Sequence, residues 1–263
     1  MSRAGLAALA GAAVGWGSLA VSTTIALRGI GPLNLLLGEV GVASAVLLIA
    51  TVAAGRALPR LSWRVLALGL LQPGVAYTTF NFGVQRTSAA DAGLLLGMEA
   101  VFTILLAVLV LGERPGRRIF AGVSLGLMGV AVMSLQPGGH ATLLGDGLVL
   151  LDSLAAAGAV ILASGLLATA DPLPLTAGQF LVGLVVIIPV TGIGWITGAE
   201  HLPTLPALEP LVALIATGAV GTAASFLAYT WALKRVRPSV AAIAVPLTPL
   251  ATLALSVTVL AEP

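Results

Sequence analysis

Glu99 stands inside the apolar part of the stretch GLLLGMEAVFTILLAVLVLGERP, Gly93 to Pro115. The run is long enough to cross a bilayer. Glu99 lies about eleven residues into it, near mid-depth at about 1.5 Å of rise per residue. A carboxylate facing lipid at that depth costs a few kcal/mol or more, so it is expected to face the helix bundle or a wet cavity. Three chemistries are open to it: a proton carrier, a counter-charge for an amine, or a protonated acid bonded to a neighbouring helix. Glu39 sits about a turn and a half inside its own run, where it can snorkel to the surface or pair with Arg28 or Arg86. Asp152 lies about two turns inside another, as a vestibule acid or a solute-facing one. Asp91 opens the helix of Glu99, and a helix-start acid is favourable through the dipole alone.

Uncharged polar and aromatic residues follow the same pattern. Gln72, Tyr77 and Asn81 decorate one run, with Tyr77 and Asn81 four apart on one face. Ser225 and Tyr229 repeat that spacing later in the chain. Trp16 lies in mid-run rather than in an interfacial belt. Together with Glu99 and Asp152, these residues are candidates for lining a cavity; interhelical hydrogen bonding is the competing reading. Pro73, Pro246 and Pro249 interrupt helices and are candidate hinges, or static kinks. Trp63 and Trp195, near run ends, read as belt anchors. The pairs Gly11/Gly15 and Gly122/Gly126 read as close helix-packing positions.

The elements that must position these residues follow from composition. The 263 residues are 59% hydrophobic and 8% charged, which specifies an all-α polytopic membrane protein. The absence of cysteine excludes disulfides and thiolate metal sites. His140 and His201 lie in apparent loops, so no metal site is expected, and no motif calls for a cofactor. The net charge of +2 comes with arginines between apolar runs, which reads as topology rather than nucleic-acid binding. Nine spans are predicted, at 4–27, 32–54, 63–84, 88–111, 118–136, 144–168, 173–197, 208–233 and 238–260. With the N-terminus in the cytoplasm, inside segments hold 10 of the Lys and Arg residues and outside segments 2. The first apolar run reads as a span rather than a signal peptide.

An internal repeat organises the spans. Shifting by 149 positions places Arg86 on Arg235, Gly69 on Gly218, Ala100 on Pro249 and Glu113 on Glu262. Shifting by 142 places Pro32 on Pro174 and Gly5 on Gly147. The expected halves are 1–138, with five helices, and 139–263, with four and an apparently missing tenth. An odd number of crossings inverts the second half, as in many secondary transporters with a site between repeats.

On these features the chain resembles the EamA family of the drug/metabolite transporter superfamily. The matching features are the five-helix halves, the Trp of GWGS (15–18), LGERP (111–115) closing the fourth helix, and VPLTPL (245–250) with LAEP (260–263) in the ninth. Many relatives carry an arginine early in the second helix, where this chain has LNLLLGEV with Glu39. Ala261 replaces a glycine of the second terminal motif. The resemblance implies a ten-helix exporter of small metabolites, commonly amino acids or related solutes. The expected partners are a small-molecule substrate, the lipid bilayer and, through Glu99, protons. A facilitator without proton coupling and a multidrug exporter are the alternatives. Enzyme chemistry has little support: LGDGL (144–148) has the wrong order for an intramembrane aspartyl protease, and there is no phosphate-binding loop. A GC-rich bacterial composition makes the inner membrane the expected location.

Overall fold

The computed structural model describes residues 3–87, 89–133 and 142–259. His140 and the LAEP motif with Glu262 lie outside the described residues. Every described element is helical, so the backbone satisfies its own hydrogen bonds, as a bilayer requires. The elements are α1 (Arg3–Ala26), α2 (Pro32–Ala53), α3 (Trp63–Gly69), α4 (Ala76–Val84), α5 (Ala89–Leu111), α6 (Arg117–Met133), α7 (Leu143–Leu166), α8 (Pro172–Thr197), α9 (Leu208–Ala216), α10 (Ser225–Leu233), α11 (Pro238–Ala241) and α12 (Ala244–Val259).

Each predicted span has a helical counterpart among the described residues, and six are long and apolar enough to cross a bilayer. Two spans carry a π-helical insert not foreseen from sequence: Leu70–Val75 joins α3 to α4, and Thr217–Ala224 joins α9 to α10. A wider turn of this kind leaves backbone groups out of the ordinary ladder and is frequent at functional sites. The ninth span is also divided, into α11 and α12.

The helix starts follow local chemistry. Pro32 and Pro172 occupy first-turn positions, where a missing N–H costs nothing. Asp171 caps α8 by accepting from Leu173 N at 3.0 Å, and Thr142 caps α7 by accepting from Gly145 N at 3.1 Å. The cap of α2 comes from a distant loop, because Leu33 N donates to a Glu200 carboxylate oxygen at 3.0 Å.

Packing pairs the spans in an exchanged pattern. The first span lies along the ninth and the eighth, and the sixth lies along the fourth and the third. The second and seventh face each other across the centre. Two glycines show how close the crossings are. A Cβ on Gly69 would stand 2.5 Å from the Gln179 carbonyl oxygen and from Val182 Cβ of α8. A Cβ on Gly218, its partner under the 149 shift, would stand 2.6 Å from Val42 Cβ and 2.8 Å from the Glu39 carbonyl oxygen of α2. Gly11 and Gly122 have no atom of the described residues within 4 Å of such a Cβ, so no close packing is seen at them among those residues.

The core is built on the second–seventh crossing, from Leu36, Val40, Ala43 and Leu47 against Ala177, Phe180 and Ile187, closed by Ala223 and Phe226. Outward faces are apolar too. Ile49, Leu109, Leu125 and Ile196 are each at least two-thirds exposed, the surface of a protein solvated by lipid.

Candidate functional site

Three carboxyl groups, Glu39, Glu99 and Asp152, lie inside the spans. Glu39 comes from α2 and accepts a hydrogen bond from Thr222 Oγ1 at 2.6 Å. Thr222 belongs to the π insert of the eighth span. Tyr77 feels the charges of Glu39, Asp152 and Glu99, three acids on three different helices. Glu99 in turn acts electrostatically on Asp152 and on Tyr229. Glu39 and Asp152 are buried, and Glu99 is half-buried.

Glu39 therefore departs from expectation. It neither snorkels outward nor pairs with Arg28 or Arg86. Arg28 pairs instead with Glu209 at 3.1 Å. The reason lies in the loop after the seventh span. Glu200 caps α2 and also accepts from Asn34 Nδ2 at 3.3 Å, while Asn34 Oδ1 accepts from Trp195 Nε1 at 2.9 Å. This lid roofs the end of α2 and leaves Glu39 inside. Trp195 is thus a hydrogen-bonded packing residue, whereas Trp63 is exposed, with Arg64 5.5 Å from its ring.

No arginine or lysine meets the three acids among the described residues. All twelve bases of the chain lie in loops or within the first turn of a helix. The second ion pair, Arg56 with Asp171, also sits at a span end. Among the described residues no group of His, Cys, Asp and Glu side chains could hold a metal ion.

An aromatic cluster walls the same region, with Phe226 as its hub. Trp16 meets it edge-on at 5.4 Å between ring centroids, Phe180 at 5.0 Å and Tyr77 at 6.3 Å. Trp16 also lies 5.2 Å from the Tyr229 ring. The Tyr229 hydroxyl is buried without a hydrogen-bond partner among the described residues.

Of the residues singled out from sequence, Trp16, Tyr77, Glu99, Asp152 and Tyr229 are gathered here. Gln72, Asn81 and Ser225 are placed differently. Gln72 leaves helical geometry (φ −147°, ψ 121°), and its carbonyl accepts from Gln179 Nε2 at 3.0 Å. Asn81 lies near the end of α4 and donates to the Pro32 carbonyl at 3.2 Å. Ser225 is spent on packing: its hydroxyl donates to the Val220 carbonyl at 2.9 Å and lies against Gly15. Pro73 sits in the first π insert and Pro249 inside α12, while Pro246 occupies the first turn of α12. Thr222, Phe226 and Phe180 were not foreseen. One shift could have signalled the first two, because Thr222 falls on Pro73 and Phe226 on Tyr77 under the 149-residue offset.

At the arginine-rich end a groove of about 430 Å³ is lined by Arg56, Asp171, Trp231, Lys234 and Arg235. Lys234 Nζ donates to the Ala170 carbonyl at 2.7 Å, and the Arg235 guanidinium covers the Trp231 ring at 3.3 Å. Thus loops of the two sequence halves touch at both ends of the bundle.

Comparison with known proteins fits this architecture. A protein of Archaeoglobus fulgidus named "Uncharacterized transporter" is 27% identical over 49% of this chain and 48% of its own length. A protein of Streptantibioticus cattleyicolor named "Probable terminal-alkyne amino-acid exporter" is 34% identical over 49% of this chain and 43% of its own. The chain thus matches slightly less than half the length of these curated relatives. A solved crystal structure superposes over 100% of this chain and 91% of its own, with a TM-score of 0.84 at 19% identity, which speaks to the fold alone. The profile of the EamA-like transporter family matches twice, over residues 3–135 and 143–263, so the chain belongs to that family of multi-pass membrane transporters.

Proposed function

We propose that this transporter exports small metabolites, amino acids or related solutes, by alternating access around the acid-lined centre, with Glu99 coupling export to protons. The carrying observation is that Glu39 and Asp152 are buried inside the spans, with Glu39 bonded to Thr222 across the two halves and the Trp16–Tyr77–Phe226 aromatic cluster in the same bundle. The junction of the halves is where inverted-repeat transporters hold solute and coupling ion. Rocking of 1–138 against 139–263 would open it alternately to the two sides. The N-terminus is assigned to the cytoplasm on the charge bias, and the protein to a bacterial inner membrane on its composition. The relative named as an amino-acid exporter supports the solute class.

Glu99 is the coupling candidate because it is the least buried of the three acids and lies in the field of Asp152, Tyr77 and Tyr229. Counterflow in proteoliposomes with pooled labelled amino acids and related metabolites tests the reading. Full-length protein is expected to move solute faster under a pH gradient, and Glu99→Gln to lose that stimulation. Equal, pH-indifferent transport by both proteins would make it a facilitator. Folded protein that moves nothing would remove the proposed solute class.

A further inference from the structure

The groove at the arginine-rich end uses none of the residues placed at the centre, and its lining has a binding chemistry of its own. Arg56 comes from the loop after α2, Lys234 and Arg235 from the loop after α10, and Asp171 is the one acid. Three bases against one acid leave a formal excess of two positive charges. Asp171 is engaged by Arg56. Lys234 and Arg235 have no carboxylate within 4 Å among the described residues. Both are nonetheless held in place. Lys234 Nζ donates to the Ala170 carbonyl, and Arg235 Nη1 donates to the Trp231 carbonyl at 2.7 Å with its guanidinium over the indole. Lysine has three donors and arginine five, so each keeps donors for a ligand. Side chains ordered beforehand lose less freedom when they bind one.

The groove opens toward lipid. Leu227 and Trp231, four residues apart, put one face of α10 into it. Deeper in the bilayer that face runs on through Ala224 and Val220, both exposed. On α2, Ile49 and Val52 are each two-thirds exposed in the turns just before Ala54, which also lines the groove. An outward apolar stripe that ends in a basic rim matches a phospholipid, with acyl chain along the stripe and phosphate at the rim. Trp231 stands at the depth where tryptophan favours the membrane interface. Basic pockets between spans suit acidic lipid headgroups. A choline or ethanolamine group would bring another cation beside Lys234 and Arg235, with the one acid already engaged, so a net anionic headgroup is favoured. A soluble anion would meet the charges but leave the apolar stripe uncovered.

We propose that this groove binds one anionic phospholipid, its phosphate between Lys234 and Arg235 and a chain along the Leu227–Trp231 face. The groove joins Ala54 and Arg56 of the first half to Leu173 and Trp231 of the second, so the bound lipid ties the halves together at this end.

The test gives full-length protein in neutral detergent phosphatidylglycerol and phosphatidylcholine of matched chains, and counts retained lipid by native mass spectrometry. One phosphatidylglycerol is expected to bind at least about fivefold more tightly than phosphatidylcholine. Lys234→Gln and Arg235→Gln change exposed side chains and leave the fold intact; each is expected to weaken phosphatidylglycerol about fivefold, while Lys234→Arg keeps it within about twofold. Trp231→Leu keeps apolar bulk but removes the ring under Arg235, and is expected to weaken it about twofold to fivefold. Arg60→Gln and Arg117→Gln remove the same charge at the same end outside the groove, and are expected to change binding by less than about twofold. Equal retention of the two lipids would overturn the inference. Losses as large in Arg60→Gln and Arg117→Gln as in the groove variants would also overturn it, by reducing the effect to the general charge of this end. Glycerol 3-phosphate is expected to leave the lipid in place at equal concentration; displacement would overturn the inference by giving the groove to a soluble anion. The readout is lipid retention, so the outcome does not depend on what the centre transports.

Discussion

The Thr222–Glu39 hydrogen bond joins the eighth span to the second, and its contribution can be isolated. Thr222→Val keeps the branched shape and removes the donor. Glu39 then remains buried, 8% exposed, with its only described donor gone. Stripping a donor from a buried charged or polar acceptor costs about 1–3 kcal/mol. Interhelical hydrogen bonds in bilayers average about 0.6 kcal/mol and reach about 1.7. The two ranges overlap near 1.5 kcal/mol, roughly a tenfold change in the unfolding equilibrium. Glu39→Leu removes the acceptor and supplies apolar volume for the crossing around Leu36, Val40 and Ala43. In that background Thr222→Val leaves no stranded carboxylate and is expected to cost under about 0.5 kcal/mol, so the double-mutant coupling is about 1 kcal/mol. The assay is reversible unfolding in mixed micelles, followed by tryptophan fluorescence. Additive costs, with Thr222→Val equally harmful beside Glu39 and beside Leu, would refute the placement of this bond at the centre.

The remaining predictions use the same assay or its transport counterpart. Gly69→Ala and Gly218→Ala each put a Cβ under 3 Å from a neighbouring helix and are expected to destabilise by about 1–3 kcal/mol, while Gly11→Ala and Gly122→Ala fall into open space and are expected to be neutral or slightly stabilising. Phe226→Ala removes the hub of the aromatic cluster and is expected to cost about 3–5 kcal/mol. Arg28→Gln breaks an ion pair whose side chains are more than half exposed, and is expected to change stability by under about 1 kcal/mol, less at high salt.

Much of this was legible in the sequence because a bilayer demands long apolar runs and punishes stray charge. The predicted spans differ from the observed helix ends by a residue or two in the second, seventh and eighth, where Pro32, Pro172 and the Pro-rich stretch before Leu208 mark the starts. Trp16, Tyr77, Glu99, Asp152 and Tyr229 stood out in the sequence because each is out of place in a lipid-facing run. Glu39 was misplaced for a physical reason: depth along its own helix says nothing of the Glu200–Asn34–Trp195 lid folded over the helix end. Phe180 gave no signal, because an aromatic residue in an apolar span is ordinary until its neighbours are known. The π inserts were hidden as well. One holds Pro73, but the other has no proline, so no single residue type marks both.

Positions paired by the 149-residue shift share packing more than chemistry. Gly69 and Gly218 make corresponding contacts on α8 and α2, and the two π inserts fall on the same stretch under the 149 shift. The acids do not repeat. Glu99 shifts onto Thr248, and a 142-residue shift carries Glu39 onto Leu181 and Ala10 onto Asp152. Tyr77 and Phe226, equivalent positions, meet ring to ring at 6.3 Å, yet only one bears a hydroxyl. A frame of equivalent helix crossings lets two arrangements of the halves lie close in energy, as exchange between them requires. Charge confined to one side of that frame does the opposite: it makes the two arrangements differ in how they hold a proton or a cation. Only a differential interaction of that kind lets a bound ion bias a conformational equilibrium. On the proposed function, the broken symmetry at Glu39, Glu99 and Asp152 is where a coupling mechanism would act, and the matching crossings at Gly69 and Gly218 would leave the halves free to respond.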